Sequence, residues 1–469
     1  MFYGRKEELA FLRSKYESKE AQLIVLYGRR RVGKTELLRY FCKEKPHVFY
    51  VCRECIDSEQ LRLFSKKILD GSALASYVNT FDDWEDAFTF IKDIPMIGKK
   101  LVVIDEYPYM VNANRSISSI LQNLWDEILK NEDVMIILCG SSMSFIEKEI
   151  LGEKNPLYGR TTGIYKLLAF DFFTSMNFFK NAPMAERILN YAVLGGTPHY
   201  LKQFDPALST EDNIRSNILT KGCVLYNEVE FLMKQELRET ATYYSIIEAI
   251  ALGSTKLNDI YTKTLLDKSK INVYLKNLIN LNIVERQYPV TEGIKKVANA
   301  QGGLYRIKDN YFKFYFRFIF PHLSELEAGD AEGVYHYNVK PYLNEYASFA
   351  FEDICIQYMR KQNKSLKLPF RFSKIGRWWN KQAEVDIMAF DEKGNILLGE
   401  CKWRNSKVSI KALNSLKEKA MLLKKEYENK YFYLFSKSGF DEELIKLSQA
   451  DRMIRLVKLD DLCFLDTKQ

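Results

Sequence analysis

The chain has 469 residues, 47% hydrophobic and 28% charged, a composition that supplies several cores and suggests three or four domains at ~100–200 residues each. No apolar run approaches the ~18 residues of a bilayer span, and the charged start Met1-Phe2-Tyr3-Gly4-Arg5-Lys6-Glu7-Glu8 has no signal-peptide core, so no membrane role is expected. The net charge of +8 permits nucleic-acid contact without establishing it, and eight scattered cysteines fit a reduced, cytoplasmic setting.

The first element is an apolar strand, Leu23-Ile24-Val25-Leu26-Tyr27, followed by Gly28, Arg29, Arg30, Arg31, Val32, Gly33, Lys34 and Thr35. Helix-compatible residues, Glu36 to Phe41, come next. Strand, glycine-bounded loop and helix in this order make a P-loop. Amide groups between Gly28 and Gly33 can face phosphates, aided by the helix N-terminus. Lys34 would reach the β/γ-phosphates and the Thr35 hydroxyl would hold Mg2+. Cys52-Arg53-Glu54-Cys55 is a lone CxxC pair with no suitably spaced histidine, so its cysteines read as structural or incidental.

Lys100-Leu101-Val102-Val103-Ile104 forms a buried strand that delivers Asp105 and Glu106 to its carboxyl end. Asp105 can hold Mg2+ through water, and Glu106 can orient or polarise the attacking water. Beside a P-loop, this reading outweighs an exposed acidic turn. The next strand, Val134–Gly140, ends in Ser141-Ser142. Ser141 can sense the γ-phosphate or cap the following helix, and both remain open. Arg160, in the loop Asn155-Pro156-Leu157-Tyr158-Gly159-Arg160, can neutralise transferring phosphate charge in its own chain or a neighbour, or simply be solvated.

These segments resemble the prokaryotic, archaeal-type AAA-like ATPases, which stand near the STAND NTPases. The matching pieces are Phe2–Leu9, Gly28–Thr35, Leu101–Glu106, Leu138–Ser142, Leu157–Arg160 and Gly195-Gly196-Thr197-Pro198-His199-Tyr200. The resemblance implies ATP as the nucleotide, Arg5 close to it, and a helical lid after about Asp171. Gly195 and Gly196 would permit close packing or a bend between lid helices.

Residues 233–281 read as helical, interrupted at Leu252-Gly253-Ser254-Thr255, and Ile283–Tyr288 can pair with Gly303–Ile307 as a small wing. That order resembles a winged helix. Asn272, Lys276 and Asn277 would then face a duplex, although a packing role is equally compatible with so weakly basic a helix. The aromatic run Tyr311–Phe320 reads best as core between domains.

A helix over Leu343–Met359 carries Glu352. Ala383–Phe390 and Ile396–Trp403 can form a hairpin around Asp391-Glu392-Lys393-Gly394-Asn395. Alternation puts Glu384 with Asp386 on one side of the first strand and Glu400 with Lys402 on one side of the second. Asp386 and Glu400 are hard oxygen ligands suited to Mg2+ or Mn2+, with Glu352 completing the shell and Lys402 orienting water or stabilising charge. This set resembles the PD-(D/E)xK nuclease superfamily, in the DUF234-type form that follows these ATPases, although Val385 stands where proline is common. The plain alternative is a charged sheet edge. Between Arg360 and Lys381 lie eight cations and no acid: Arg360, Lys361, Lys364, Lys367, Arg371, Lys374, Arg377 and Lys381. Such a block suits a phosphate backbone, while Trp378 and Trp379 can stack on unpaired bases or be buried. Val408–Tyr427, Lys430–Ser436, Glu442–Ala450 and Met453–Lys458 then read as helix, strand, helix and strand.

The expected architecture is α/β and multidomain. It comprises a P-loop AAA-like ATPase core (1–170), a helical lid (171–232), a winged-helix-like domain (233–308) and a connecting segment (309–335). A restriction-endonuclease-like α/β domain (336–469) completes it. The expected function is ATP binding and hydrolysis controlling a metal-dependent DNA-processing or DNA-binding tail. A signalling or scaffolding ATPase with an inactive partner-binding tail and a winged-helix DNA-binding regulator are the alternatives. DNA is the leading partner, with a protein partner or a second copy of the chain left open.

Overall fold

A computed structural model describes residues 2–150, 152–153, 155–293 and 303–463, so the expected segments 1–170, 233–308 and 336–469 lie partly outside the described residues. The chain divides into two compact units, Met1–Ala169 and Phe170–Gln469.

The first unit is built on five parallel strands: β1 (Gln22–Tyr27), β2 (His47–Val51), β3 (Lys100–Asp105), β4 (Val134–Gly140) and β5 (Gly163–Lys166). Their spatial order is β2-β3-β4-β1-β5. Uninterrupted apolar sequence marks β1, β3 and β4 as strands covered on both faces, and all six residues of β1 and all seven of β4 are buried. Odd residues Leu23 and Val25 enter one core with Ile136 and Leu138, while Ile24 and Leu26 enter the other with Ile137 and Cys139. Because β4 intervenes between β1 and β3, the P-loop and the acidic pair stand at the ends of non-adjacent strands, with Ser141 just past the end of the strand between them.

The second unit begins with short helices. Met184–Leu194 ends at Gly195, which has φ 65°, a left-handed backbone that glycine adopts without Cβ strain. A Cβ on Gly196 would lie 1.8 Å from the Phe170 carbonyl oxygen, so this glycine serves close packing. Helices Thr240–Ala251, Leu257–Thr264 and Lys268–Asn280 follow, then the antiparallel pair β6 (Val284–Gln287) and β7 (Leu304–Ile307). The aromatic run is helical, over Asn310–Phe314 and Tyr315–Ile319, and Tyr311, Phe312, Phe314 and Phe316 are fully buried. Burial of such rings is among the largest apolar contributions a side chain can make.

A second sheet orders its strands β12-β11-β10-β9-β8, with β8 (Lys374–Trp379), β9 (Glu384–Phe390), β10 (Asn395–Lys402), β11 (Asn429–Ser436) and β12 (Ile454–Lys458). β9 pairs antiparallel with both β8 and β10; β10, β11 and β12 run parallel. The helix Lys340–Lys364 packs Phe351, Ile354 and Cys355 with Ile387, Ala389, Leu397 and Cys401 of one sheet face. Leu413 and Leu416, from the helix Ile410–Met421, and Leu444, from Glu442–Ala450, join Met388, Ile396, Leu398 and Leu434 of the other. Among the described residues, no helix is long and apolar enough to cross a membrane.

Candidate functional site

At the carboxyl end of β1 the loop is shaped by two left-handed residues, Arg31 (φ 73°) and Gly33 (φ 88°). Gly28 has no room for a side chain, since a Cβ would sit 2.3 Å from the Leu167 carbonyl oxygen. Consecutive amides in such a turn form an anion-binding concavity, and the helix Lys34–Cys42 adds its N-terminal dipole. Lys34 is buried and folds back to donate to the carbonyls of Gly28 (2.8 Å) and Arg29 (3.1 Å). Arg29 is buried as well. Arg5, itself left-handed at φ 63°, donates to the Val32 carbonyl at 2.8 Å and pairs with Glu8 at 2.9 Å. The Arg5 guanidinium therefore braces the loop, and burial pulls its pKa below the ordinary value despite Glu8.

The Thr35 hydroxyl donates to Asp105 Oδ2 at 2.7 Å, bringing together the two residues expected around Mg2+. Glu106 follows with φ 53°. Its Oε2 accepts the Ser141 hydroxyl at 2.8 Å and the Ser141 amide at 3.3 Å. Ser141 thus serves Glu106; Ser142 occupies the N-cap of the next helix and makes no side-chain cap bond. The hydroxyl–carboxylate pair Thr35–Asp105 is the all-oxygen donor set that Mg2+ takes in phosphate sites, so the chemistry of the residues fits a nucleotide–Mg2+ complex.

Arg160 is not brought into this group. Its guanidinium pairs with Asp126 at 2.7 Å and donates to the Pro156 carbonyl at 2.9 Å. Cys52 is buried and its amide donates to the Asp105 carbonyl at 2.9 Å; neither it nor Cys55 is disulfide-bonded. Burial pushes the Cys52 thiol well above its usual pKa, which fits packing and not redox chemistry.

In the second unit the expected hairpin is present, with Leu397 opposite Ala389 and Gly399 opposite Ile387. Beyond Gly399 the Asp386 carboxylate accepts the Cys401 amide at 2.8 Å. Glu384 and Asp386 both line one cavity, and the regular alternation of β9 breaks beyond Asp386, before Met388. The pairing steps from Gly376–Met388 to Trp378–Val385, so β9 carries an extra residue there, and Val385 and Met388 join the same core. Burial, and then the Glu400 charge, raise the Asp386 pKa. Glu400 is buried and bridged by Lys402 at 2.6 Å and by Lys419 at 3.0 Å, a cation the sequence pattern did not suggest because it lies on the helix Ile410–Met421. Glu352 is paired with Arg377, not with Asp386 or Glu400. Among the described residues, no group of three or more His, Cys, Asp or Glu side chains is arranged to hold a metal ion. The expected three-carboxylate shell is therefore not assembled. Its physical reason is the Arg377 guanidinium, which answers the Glu352 charge inside the protein.

The basic block separates into two kinds of residue. Arg360, Lys364, Lys367, Arg371, Lys374 and Lys381 are exposed, and Lys361 and Arg377 are less so, Lys361 pairing with Asp171 at 3.3 Å and Arg377 with Glu352. On the helix Lys268–Asn280, Asn272 and Lys276 are exposed, but Asn277 donates to the Tyr243 hydroxyl at 2.8 Å and is committed to packing.

Residues 2–204 match the family described as an ATPase domain predominantly from Archaea, and residues 315–414 match DUF234, described as archaeal and bacterial proteins of unknown function. An uncharacterised protein of Methanocaldococcus jannaschii is 36% identical over 441 residues, covering 93% of this chain and 96% of that protein. An uncharacterised ATP-binding protein of the same organism is 58% identical over 45 residues, 10% of this chain and 76% of that protein. A Walker-type ATPase of Pyrococcus abyssi, 23% identical, superposes over 67% of this chain and 96% of its own with a TM-score of 0.52, a likeness of fold. With its Gly28–Thr35 loop, the Asp105–Glu106 strand end and this near full-length relative, the chain belongs to the archaeal-type ATPase family and joins that ATPase domain to a DUF234 segment.

Proposed function

We propose that the protein binds and hydrolyses ATP and that turnover controls a DNA-acting C-terminal domain. The observation that carries the first part is the convergence of Lys34, Thr35, Asp105, Glu106 and Ser141 at the ends of β1, β3 and β4. The loop amides and Lys34 bind the phosphates, and Lys34 exchanges the Gly28 and Arg29 carbonyls for phosphate oxygens. Thr35 and Asp105 hold Mg2+, which supplies neutralisation of the charge developing on the transferring phosphoryl group. Glu106 accepts a hydrogen bond from the attacking water, and Ser141 fixes the Glu106 carboxylate. To neutralise phosphate charge, in its own chain or in a second copy, Arg160 would exchange Asp126 for the nucleotide. Phosphate release assayed on wild type and Glu106→Gln tests this part; equal rates would remove Glu106 from the chemistry.

The nucleic-acid reading rests on the six exposed cations between Arg360 and Lys381, close in sequence to Asp386. Phosphate contacts by such residues give affinity and position without sequence preference. The three helices and β6–β7 support a winged-helix module alongside, with Asn272 and Lys276 open to solvent. Asp386 and Glu400 supply the hard oxygens for Mg2+ or Mn2+, and Lys402 the charge beside them, for phosphodiester cleavage in a restriction-endonuclease-like domain. A binding-only tail is favoured by a specific observation: Glu352 and Glu400 already have cationic partners within the protein. Incubating plasmid, duplex and single-stranded DNA with Mg2+ or Mn2+, with and without ATP, separates the two. Cutting that Glu400→Ala abolishes establishes the nuclease, and intact DNA with retained DNA binding establishes the binding tail.

A further inference from the structure

A cavity of about 770 Å³ opens beside Asp386. Its wall draws Arg306 from β7, Arg377 and Trp379 from β8, Glu384 and Asp386 from β9, and Lys419 from the helix Ile410–Met421. Trp378 and Trp379 part company here. Both line the cavity, but Trp378 is buried and packed in the core with Val385 and Met388, whereas Trp379 is half-buried and outside that core. The wall is made rigid from two sides: the Val290 amide donates to the Arg377 carbonyl at 2.9 Å, and Arg377 pairs with Glu352.

We infer that this cavity receives one or two unpaired nucleotides of single-stranded DNA, with a base on Trp379 and the backbone phosphate between Arg306 and Lys419. The inference rests on the nucleic-acid reading above and narrows it to a substrate class. Size is the first reason. Pockets of ~300–1,000 Å³ enclose ligands of drug size, which a nucleotide is, whereas the major groove of a B-form duplex alone is ~12 Å wide. A continuous duplex does not enter such a space. Chemistry is the second. An indole available from a cavity wall gives a base a stacking platform indifferent to sequence, and cations on separate elements bracket a phosphate.

Four acids, Glu352, Glu384, Asp386 and Glu418, share the lining with three cations, Arg306, Arg377 and Lys419. Glu352 is already answered by Arg377. Lys419 is bridged to Glu400, so a divalent cation at Asp386 would neutralise the negative charge that remains. Binding of the strand is therefore expected to strengthen when Ca2+ replaces EDTA, without any cutting.

The test is fluorescence anisotropy on the full chain with a labelled strand of about twelve thymidines, a blunt hairpin duplex and the same duplex carrying a single-stranded overhang. The expected result is binding of the strand and the overhang roughly tenfold tighter than the blunt duplex. Trp379→Ala should remove most of that preference and Trp379→Phe should keep it, since a phenyl ring still stacks. Arg306→Ala, read beside them, should weaken the strand and lower its salt dependence by about one phosphate contact. Retained ATP binding and an unchanged far-ultraviolet spectrum certify each variant. Equal affinity for strand and blunt duplex, or a preference indifferent to both Trp379→Ala and Arg306→Ala, overturns the cavity assignment while leaving the DNA reading in place. Failure of every nucleic acid to bind overturns both.

Discussion

Ser141 donates its hydroxyl to the Glu106 carboxylate at 2.8 Å, linking the ends of β4 and β3. Glu106 is held in a left-handed backbone at the same point. A carboxylate so restrained keeps its free oxygen on a fixed bearing, as a residue orienting an attacking water must. Sparsely populated backbone at a strand end costs on the order of 1–3 kcal/mol, a cost that clusters at functional sites.

Glu106→Gln is expected to slow ATP hydrolysis by about 10²–10⁴-fold while leaving ATP binding within a few-fold. Ser141→Ala, which frees the carboxylate without removing it, should cost roughly tenfold. Phosphate-release kinetics alongside nucleotide titration would check both; a Ser141→Ala defect larger than that of Glu106→Gln would contradict the assigned order of roles.

Lys34→Ala should weaken ATP binding by about a hundredfold, because a charge-assisted phosphate contact is lost. Glu400→Ala should leave the same affinity unchanged. Calorimetric titration of the two variants separates the sites, and equal losses in both would mean a shared folding defect.

Gly196→Ala forces a Cβ to within 1.8 Å of the Phe170 carbonyl, a clash with backbone that no side-chain rotation relieves. A loss of at least about 1–3 kcal/mol is expected, the usual cost of overpacking. Denaturant melts should register it as a lower midpoint with an unchanged slope.

Arg377→Ala removes the cation from Glu352 at a place where both side chains are mostly shielded, 12% and 16% exposed. The orphaned carboxylate should cost about 3 kcal/mol, the lower end for a broken buried pair. The double variant Arg377→Ala/Glu352→Gln should recover part of that loss, which thermal unfolding can measure.

Burial and the neighbouring Glu400 charge raise the Asp386 pKa above its unfolded value. Between the ordinary aspartate pKa and the raised folded one, the native state holds more proton than the unfolded chain. Stability attributable to this group therefore falls as pH rises through that window, and the deficit persists above it. Asp386→Asn, which keeps an acceptor for the Cys401 amide, should raise the melting temperature at neutral pH and flatten its dependence across the acidic window. Added Mn2+ should then stabilise wild type more than the variant.

Local sequence determined a great deal here. Apolar runs at Leu23–Tyr27, Leu101–Ile104 and Val134–Leu138, rich in β-branched residues, read as buried strands, and the glycines at 28 and 33 permit a close approach and a left-handed backbone that other residues would obstruct. The hairpin around Gly394 and the helix Glu442–Ala450 were equally legible, because turn chemistry and periodicity are short-range properties. Tertiary structure alone decided which charges meet. The strand order put Ser141 beside Glu106; an extra residue in β9 broke the alternation beyond Asp386; and distant segments supplied Arg377 to Glu352 and Lys419 to Glu400. Periodicity fixes the direction of a side chain relative to its own element, whereas its electrostatic partner depends on which elements pack together.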